Sequence, residues 1–506
     1  MKYQFITFIL IGFLFASCSS VKQHNKNIYA LRSEKELQKD VDYLHKKLQK
    51  LHPKLDWYIS KQELDYKFDS LKYTITSPMT GNEFYRKISP LLASVRQGHN
   101  NMSPLVEKVS PKEVKTYKKK GENPLSQFEY ALFDDKLYIV KNNSADTSIH
   151  VGSEVVAING ITPQEIYQNY RHTTTSDGYN ETFYPQRFAG YFGTHYQLYI
   201  GKTLLDSAFY QLKYNDTLET YWVCRTKKDT TDVANRPKTT ASTTGKRGLT
   251  YLEADSSIAL MTIPAFSATS YSTFYKKSFE QLRAANTQTL IIDLRNNLGG
   301  SLNNVQTLYT YLTDTSFYFT SKAEVTSRTS LHQLNTFKNS KIGTKILAPI
   351  LYSVNLIRIA KIKQEDGKYY LNLKSTKITP HKPSYFKGDV YVLINGMSSS
   401  ASSILSSNLH GSKRATFVGE ETGGAYNGGV AGRFYLFTLP KSKLKGRFGL
   451  MAIQPFYQTD TEGRGIMPDI EVSPTLEDKI NGNDPGLNTI LELVRSKRIQ
   501  NYIITN

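Results

Sequence analysis

Only two cysteines, Cys18 and Cys224, stand in this 506-residue chain. That scarcity excludes a disulfide scaffold, so stability must come from packed apolar cores. The histidines are scattered and the cysteines far apart, which gives no metal-ligand spacing, and neither a metal nor another cofactor is expected. Acidic residues are also short, 44 against 64 basic ones, for a net charge of +20. The lysines are dispersed, however, and the single tight basic run is Lys118-Lys119-Lys120. The excess therefore reads as a solvated lysine-rich surface, suited to an anionic lipid face and not to nucleic acid. A long apolar run is missing too, since the stretch from Phe5 to Ala16 falls short of the ~20 residues a membrane-spanning helix needs. What is present is length and 39% hydrophobic content, enough for two or three domains with separate cores.

The first 17 residues carry one charge, Lys2, ahead of that short apolar run, and read as an export signal. Their end, Leu14-Phe15-Ala16-Ser17-Cys18, looks like the lipobox of bacterial lipoproteins. The likeness implies a signal peptide over 1–17, a lipidated Cys18 opening the mature chain and a tether over 18–30. The protein would then sit in the cell envelope, lipid-anchored at a periplasmic face or the cell surface. A signal cut elsewhere beside an incidental cysteine is the competing reading. If Cys18 is acylated, no intramolecular disulfide can form even in an oxidising periplasm.

From 31 to 110 an N-terminal helical domain is expected. Three amphipathic helices each open on a capping box, Ser33 with Glu36, Ser60 with Glu63 and Thr80 with Glu83. Leu37, Val41, Leu44, Leu48 and Leu51 share one face of the first, and Pro53 stops it. Residues 126–225 begin with alternating Leu137-Tyr138-Ile139-Val140 and reach Val151-Gly152-Ser153-Glu154-Val155-Val156-Ala157-Ile158-Asn159-Gly160. The latter resembles the G-x-x-I-x-x-I-N-G segment of PDZ domains, which capture peptides by strand addition or by the terminal carboxylate. A carboxylate-binding G-L-G-F-type loop is missing, and 166–200 reads as an insertion, so a purely structural role stays open. Residues 226–248, rich in Thr, Lys and Asp, read as a loop or linker. Buried-type strands near 258–262, 289–294, 390–394 and 415–418 then alternate with helices near 273–285, 302–313 and 400–409, a mixed α/β core. Short strand-like runs within 320–385 could rim or lid a cleft. Residues 476–506 read as a C-terminal helix or tail.

The most informative stretch is Tyr391-Val392-Leu393-Ile394-Asn395-Gly396-Met397-Ser398-Ser399-Ser400-Ala401-Ser402. An apolar strand runs into a small-residue corner before a short helix. A serine there has its hydroxyl exposed beside free N–H groups that can stabilise an oxyanion, although serine clusters also serve as ordinary caps and turns. Upstream, Thr289-Leu290-Ile291-Ile292-Asp293-Leu294-Arg295-Asn296-Asn297-Leu298-Gly299-Gly300 ends in a glycine pair able to bring N–H groups to a carbonyl. Downstream follow Val418-Gly419-Glu420-Glu421-Thr422-Gly423-Gly424 and Glu462-Gly463-Arg464-Gly465-Ile466-Met467-Pro468-Asp469-Ile470.

In this order the D-L-R-x-N-x-G-G and S-A-S motifs resemble the S41 peptidases, the family of C-terminal processing (tail-specific) proteases and the tricorn core protease. The resemblance covers roughly residues 30 to 475, with the protease domain at 249–475. It implies a ClpP/crotonase-like fold and a serine endopeptidase acting on peptides or unfolded protein tails. Processing-type members place a lysine just after the glycine-rich turn. Here that position is Ala425, and no lysine lies between Lys413 and Lys441. Members closer to tricorn use a histidine from an N-terminal segment and a glutamate of the E-G-x-G-x-x-P-D region. By that resemblance Ser400 attacks, His99 is the general base, and Glu462 supports His99 directly or through another side chain. Ala401 with Gly299 or Gly300 would form the oxyanion hole. Tricorn also has a serine just before the histidine, where this chain has Gly98, so that member of the relay is absent or supplied elsewhere. His410 lies ten residues past Ser400, ~15 Å along a helix, and cannot reach it. Two rivals remain: a non-catalytic binding lipoprotein retaining the fold, and an adaptor working through residues 126–225 alone.

Overall fold

The computed structural model describes residues 21–227, 246–267, 269, 271–332, 360–372, 377–380 and 385–505. The expected signal peptide, Cys18, most of the 226–248 linker and much of the 320–385 rim lie outside the described residues. Among the described residues, no helix is long and apolar enough to cross a membrane.

The three capping signals each open a helix, at Glu34–Leu51, Lys61–Tyr73 and Gly81–Ala93. The first ends at His52, whose extended backbone (φ −89°, ψ 109°) is what a residue before proline prefers. Leu37, Val41, Leu44 and Leu48 are fully buried, each contributing roughly 1.5–3 kcal/mol of transfer free energy. Their core is shared with distant strands, as Leu44, Phe68 and Ile88 pack in one cluster with Ala323, Tyr435, Phe448 and Leu450. The connection is made by β1 (Asn101–Ser103), which follows the third helix and joins a sheet completed far downstream.

Strands β2 (Phe128–Phe133), β3 (Lys136–Asn142), β4 (Glu154–Ile158), β5 (Ser207–Tyr214) and β6 (Thr217–Cys224) form an antiparallel sheet in sequential order. The 166–200 stretch, expected as an insertion, completes this module's core. The helices Pro163–Thr173, Phe183–Gly190 and Phe192–Ile200 bury Ile166, Phe188 and Tyr196 against Ile139 and Tyr210.

A second sheet runs β17 (Ile470–Glu471), β14 (Thr416–Gly419), β13 (Asp389–Ile394), β9 (Thr289–Asp293), β8 (Ile258–Thr262), β7 (Gly248–Tyr251). Every pairing in it is parallel except β7 with β8. Both faces are covered, which is why these strands read as near-continuous apolar runs. On one face Met261, Ile292 and Val392 meet Phe279, Leu308 and Leu405 of three helices, Ser272–Ala284, Leu302–Tyr309 and Ala401–Gly411. On the other, Leu260, Ile291 and Leu393 meet Ile490 and Val494 of the helix Pro485–Thr505. The expected α/β core is present, and β9 and β13 lie side by side with their C-terminal ends together. In such sheets that edge is where ligands bind.

The third sheet pairs β16 (Lys445–Ile453) with β15 (Gly429–Thr438), β1 and β10 (Ala323–Val325), then β10 with β12 (Lys368–Leu371) and β12 with β11 (Ile362–Glu365). A register shift between Ala431 and Phe434 bends β15 where it passes the cleft.

Candidate active site

The loops leaving β9 and β13 are laced together. Asn395 Oδ1 accepts the Asn296 and Met397 N–H groups (2.9 and 3.1 Å), and Ser398 Oγ donates to the Leu294 carbonyl (2.8 Å). The Ser399 N–H and Ser402 Oγ donate to the Asn297 carbonyl at 3.1 and 2.9 Å. These bonds hold Ser400 at φ 58°, ψ −119°, a conformation that costs a non-glycine residue ~1–3 kcal/mol. The turn points its hydroxyl out of the corner, while Ala401 begins the helix. Ser398 and Ser402 are fully buried in these structural bonds, whereas Ser399 and Ser400 are both half-buried, and of these two it is Ser400 whose hydroxyl meets an imidazole.

His99 Nε2 lies 3.1 Å from Ser400 Oγ, within hydrogen-bonding distance. The histidine stands on the turn after the helix Gly81–Ala93. Gln97 Oε1 clamps that turn by accepting the Val430 N–H at 3.0 Å. His99 Nδ1 is buried and makes no hydrogen bond among the described residues. The carboxylate that acts on this imidazole is Asp177, from the turn between two helices of the β2–β6 module. Asp177 is 7% exposed, and its Oδ1 accepts the Gly98 N–H at 2.7 Å. A side chain at 98 would put its Cβ 2.9 Å from that oxygen, so the glycine makes the room Asp177 occupies. Burial pushes the His99 pKa down, and Asp177 opposes this while Arg447 adds to it, for a net depression. Burial likewise raises Asp177, opposed by His99 and the Gly98 N–H.

Glu462 is not brought to the histidine. It is exposed and accepts from Trp57 Nε1 at 3.0 Å. Tyr58 feels both carboxylates, its buried hydroxyl being pushed up by desolvation first and then by Asp177 and Glu462. Its neighbour Gly463 does take part, accepting the Tyr179 N–H at 2.7 Å beside Asp177. Sequence reasoning missed Asp177 because it lies in a polar turn, Thr175-Ser176-Asp177-Gly178, with no periodicity or motif spacing. The available signal was indirect, the space left at Gly98.

Of the expected oxyanion donors, the Gly299 N–H is already given to Asn297 Oδ1 at 2.9 Å. The Gly300 and Ala401 N–H groups make no hydrogen bond among the described residues. Gly299 has another duty, because a Cβ there would sit 2.7 Å from the Ser400 Cβ and the Ala401 nitrogen. Asp293 and Arg295 bond each other at 2.8 and 3.0 Å, and Arg295 also grips Asp484 at 2.7 Å, so they brace the turn. His410 turns to the Tyr426 hydroxyl at 3.1 Å. Among the described residues no group of three His, Cys, Asp or Glu side chains could hold a metal ion.

The Ser400–His99–Asp177 cluster sits where two cavities meet. One of about 550 Å³ runs past Gly300, Ala401 and Ile404 toward β15 and β16. The other, about 310 Å³, runs past Asn100 and Thr175 into the wall formed by the helices Pro163–Thr173 and Phe183–Gly190. A cleft open on both sides of a hydroxyl paired to an imidazole can take an extended chain across it, with the hydroxyl deprotonated for attack and N–H groups for the developing oxyanion.

Residues 257–472 match the model of peptidase family S41, so this part of the chain is similar to the domain of that family. The structure of mature CPAF complexed with lactacystin superposes with a TM-score of 0.60 at 15% identity, over 92% of this chain and 98% of that one. A second structure of mature CPAF gives 0.60 at 16% identity, over 91% and 97%. At such identity the likeness speaks for the shared fold. The photosystem II D1 C-terminal processing protease is more distant, with a TM-score of 0.41 and 14% identity over 86% of this chain and 93% of that one. No curated protein matches the chain.

Proposed function

We propose that the chain is a serine endopeptidase that cuts exported peptides or unfolded protein tails through an acyl-enzyme on Ser400. The parallel sheet with its paired loops is read as a ClpP/crotonase-like core, as the S41 match leads one to expect. The observation that carries the reading is the 3.1 Å contact of His99 Nε2 with Ser400 Oγ across 301 residues of sequence. His99 takes the hydroxyl proton as Ser400 attacks the scissile carbonyl, and the carbonyl oxygen becomes an anion held by the Gly300 and Ala401 N–H groups. The imidazolium then gives its proton to the leaving amine, and a water repeats the cycle on the ester. Asp177 favours the tautomer with the proton on Nδ1 and stabilises the imidazolium. Its looser approach here is of the kind that tightens in a reacting complex.

A fluorophosphonate probe should label the protein at one residue, mapped by peptide mass spectrometry to Ser400, with Ser399 and Ser402 unlabelled. Absence of labelling on folded protein would favour the rival, a binding protein retaining the fold.

The module of residues 126–225, with its PDZ-like segment, contributes a cleft wall through Phe183 and Arg187 of the helix Phe183–Gly190, and it packs tightly on the serine corner, where a Cβ on Gly396 would strike the Thr182 carbonyl carbon at 2.5 Å. This favours a joint site over an adaptor acting through that module alone. We further propose that Cys18 carries a lipid anchor, on the strength of the lipobox-like residues before it. Cys18→Ala should move the protein to the soluble fraction or stop its maturation. Normal maturation with unchanged membrane pelleting would refute the anchor.

A further inference from the structure

The smaller cavity holds more positive charge than the chemistry at Ser400 uses. Arg86, Arg187 and Arg447 line it, against a single acidic residue, Asp177. That carboxylate accepts the Gly98 N–H and interacts electrostatically with His99. Arg86 and Arg447 are exposed, and Arg447 lies over the Phe434 ring at 4.7 Å. Arg187 differs. Its guanidinium lies over the Tyr191 ring at 3.8 Å, and its Nη1 is buried without a hydrogen-bond partner. Among the described residues no carboxylate pairs with it. Stacking on an aromatic face leaves the N–H edge of the fork open.

A second unused donor stands nearby. The Tyr170 hydroxyl lines the same cavity, is buried, has no partner, and feels the charge of Arg187. Burial pushes its pKa up, so it remains a donor at working pH. His195, 4.3 Å from Tyr170 between ring centroids, is pushed down to about 4 by burial and by Arg187, so it adds no charge. Arg187 is the positive group that both Tyr170 and His195 feel. A buried guanidinium nitrogen and a buried hydroxyl, both unpaired, are costly to keep unless an acceptor reaches them.

We propose that Arg187 and Tyr170 form a carboxylate subsite on one side of the scissile bond, selecting peptides with an acidic group at a fixed distance from the cut. A planar carboxylate can accept from the guanidinium fork and from the phenol together, which a neutral amide of the same shape cannot match. The proposal rests on the peptidase reading above. The carboxylate can be an aspartate or glutamate side chain or the end of the substrate chain, and the test separates these.

Synthetic decapeptides are prepared in three sets, with internal Asp or Glu and an amidated end, with Asn or Gln replacing them and an amidated end, and with Asn or Gln and a free end. Cleavage is followed by mass spectrometry. If the source is a side chain, the first set should exceed the second in kcat/KM by about 10- to 100-fold, with the acid at one fixed position from the cut. If it is the chain end, the third set should show that excess instead. Arg187→Met should remove the preference, and Arg187→Lys should keep part of it by retaining the charge without the fork. Equal rates across all three sets for the wild-type enzyme would overturn the subsite, as would a preference that survives Arg187→Met in folded protein. If no peptide is cut, the peptidase reading fails, and the subsite is judged by binding of the same peptides to Ser400→Ala protein. There the acidic or free-end set must bind about tenfold tighter or more and lose that margin with Arg187→Met.

Discussion

Ser400→Ala, His99→Ala and the double variant are each expected to lower kcat by on the order of 10⁶, the double costing no more than either single. That factor is about 8 kcal/mol of lost transition-state stabilisation. The reason is that the two groups act as one unit. An alkoxide does not form near neutral pH without an acceptor for its proton, and once the hydroxyl 3.1 Å from Nε2 is removed the imidazole has nothing to deprotonate. What remains should be the contribution of binding and the oxyanion donors, ~10³–10⁴ over water. Ser400→Ala should leave the melting temperature nearly unchanged, since the strained φ of 58° is held by the Asn395 and Ser398 bonds and not by the hydroxyl. The check is single-turnover kinetics on a peptide substrate, run beside thermal unfolding. Losses that multiply in the double variant would mean that Ser400 and His99 do not share a step.

Local signals in the sequence carried much of the fold. The boxes at Ser33 and Thr80 cap helices, and the apolar runs at 289–293 and 389–394 are neighbouring strands covered on both faces. Both signals act within a few residues, where backbone donors and side-chain period decide the outcome. The sharing of one core by Leu44 and Phe448 was not legible, because it depends on packing between segments some 400 residues apart. The site divides in the same way. Ser400 and the glycine pair stand on corners that the chain writes locally, whereas only tertiary contact shows that Asn297 takes the Gly299 N–H and leaves that of Gly300. His99 could be singled out only by resemblance, since a lone histidine after a helix has no spacing that announces a base. Asp177 is the extreme case, a carboxylate in a polar turn whose role follows from what it touches.

Asp177→Asn should lower kcat by about 10³- to 10⁴-fold, while Glu462→Gln should stay within a few-fold of wild type. The asymmetry follows from position. Asp177 is buried against His99 through the Gly98 N–H at 2.7 Å, whereas Glu462 is exposed and held by Trp57. Loss of the carboxylate removes the group that favours the Nδ1–H tautomer, and only that tautomer offers Nε2 to the serine proton. The pH profile separates this role from a merely structural one. His99 works as a base only when neutral, so kcat/KM falls on the acid side as the imidazole protonates. Burial holds its pKa below the ordinary value, and the acid limb of the wild-type enzyme should therefore have its midpoint below ~6.5. Asp177 raises that pKa, so Asp177→Asn should move the limb further to acid. Arg447 lowers it, so Arg447→Gln should move the limb the other way. A rate loss in Asp177→Asn with the limb in place would reduce Asp177 to a packing residue. A large loss in Glu462→Gln with an acid shift of its limb would make Glu462 the acid that supports His99.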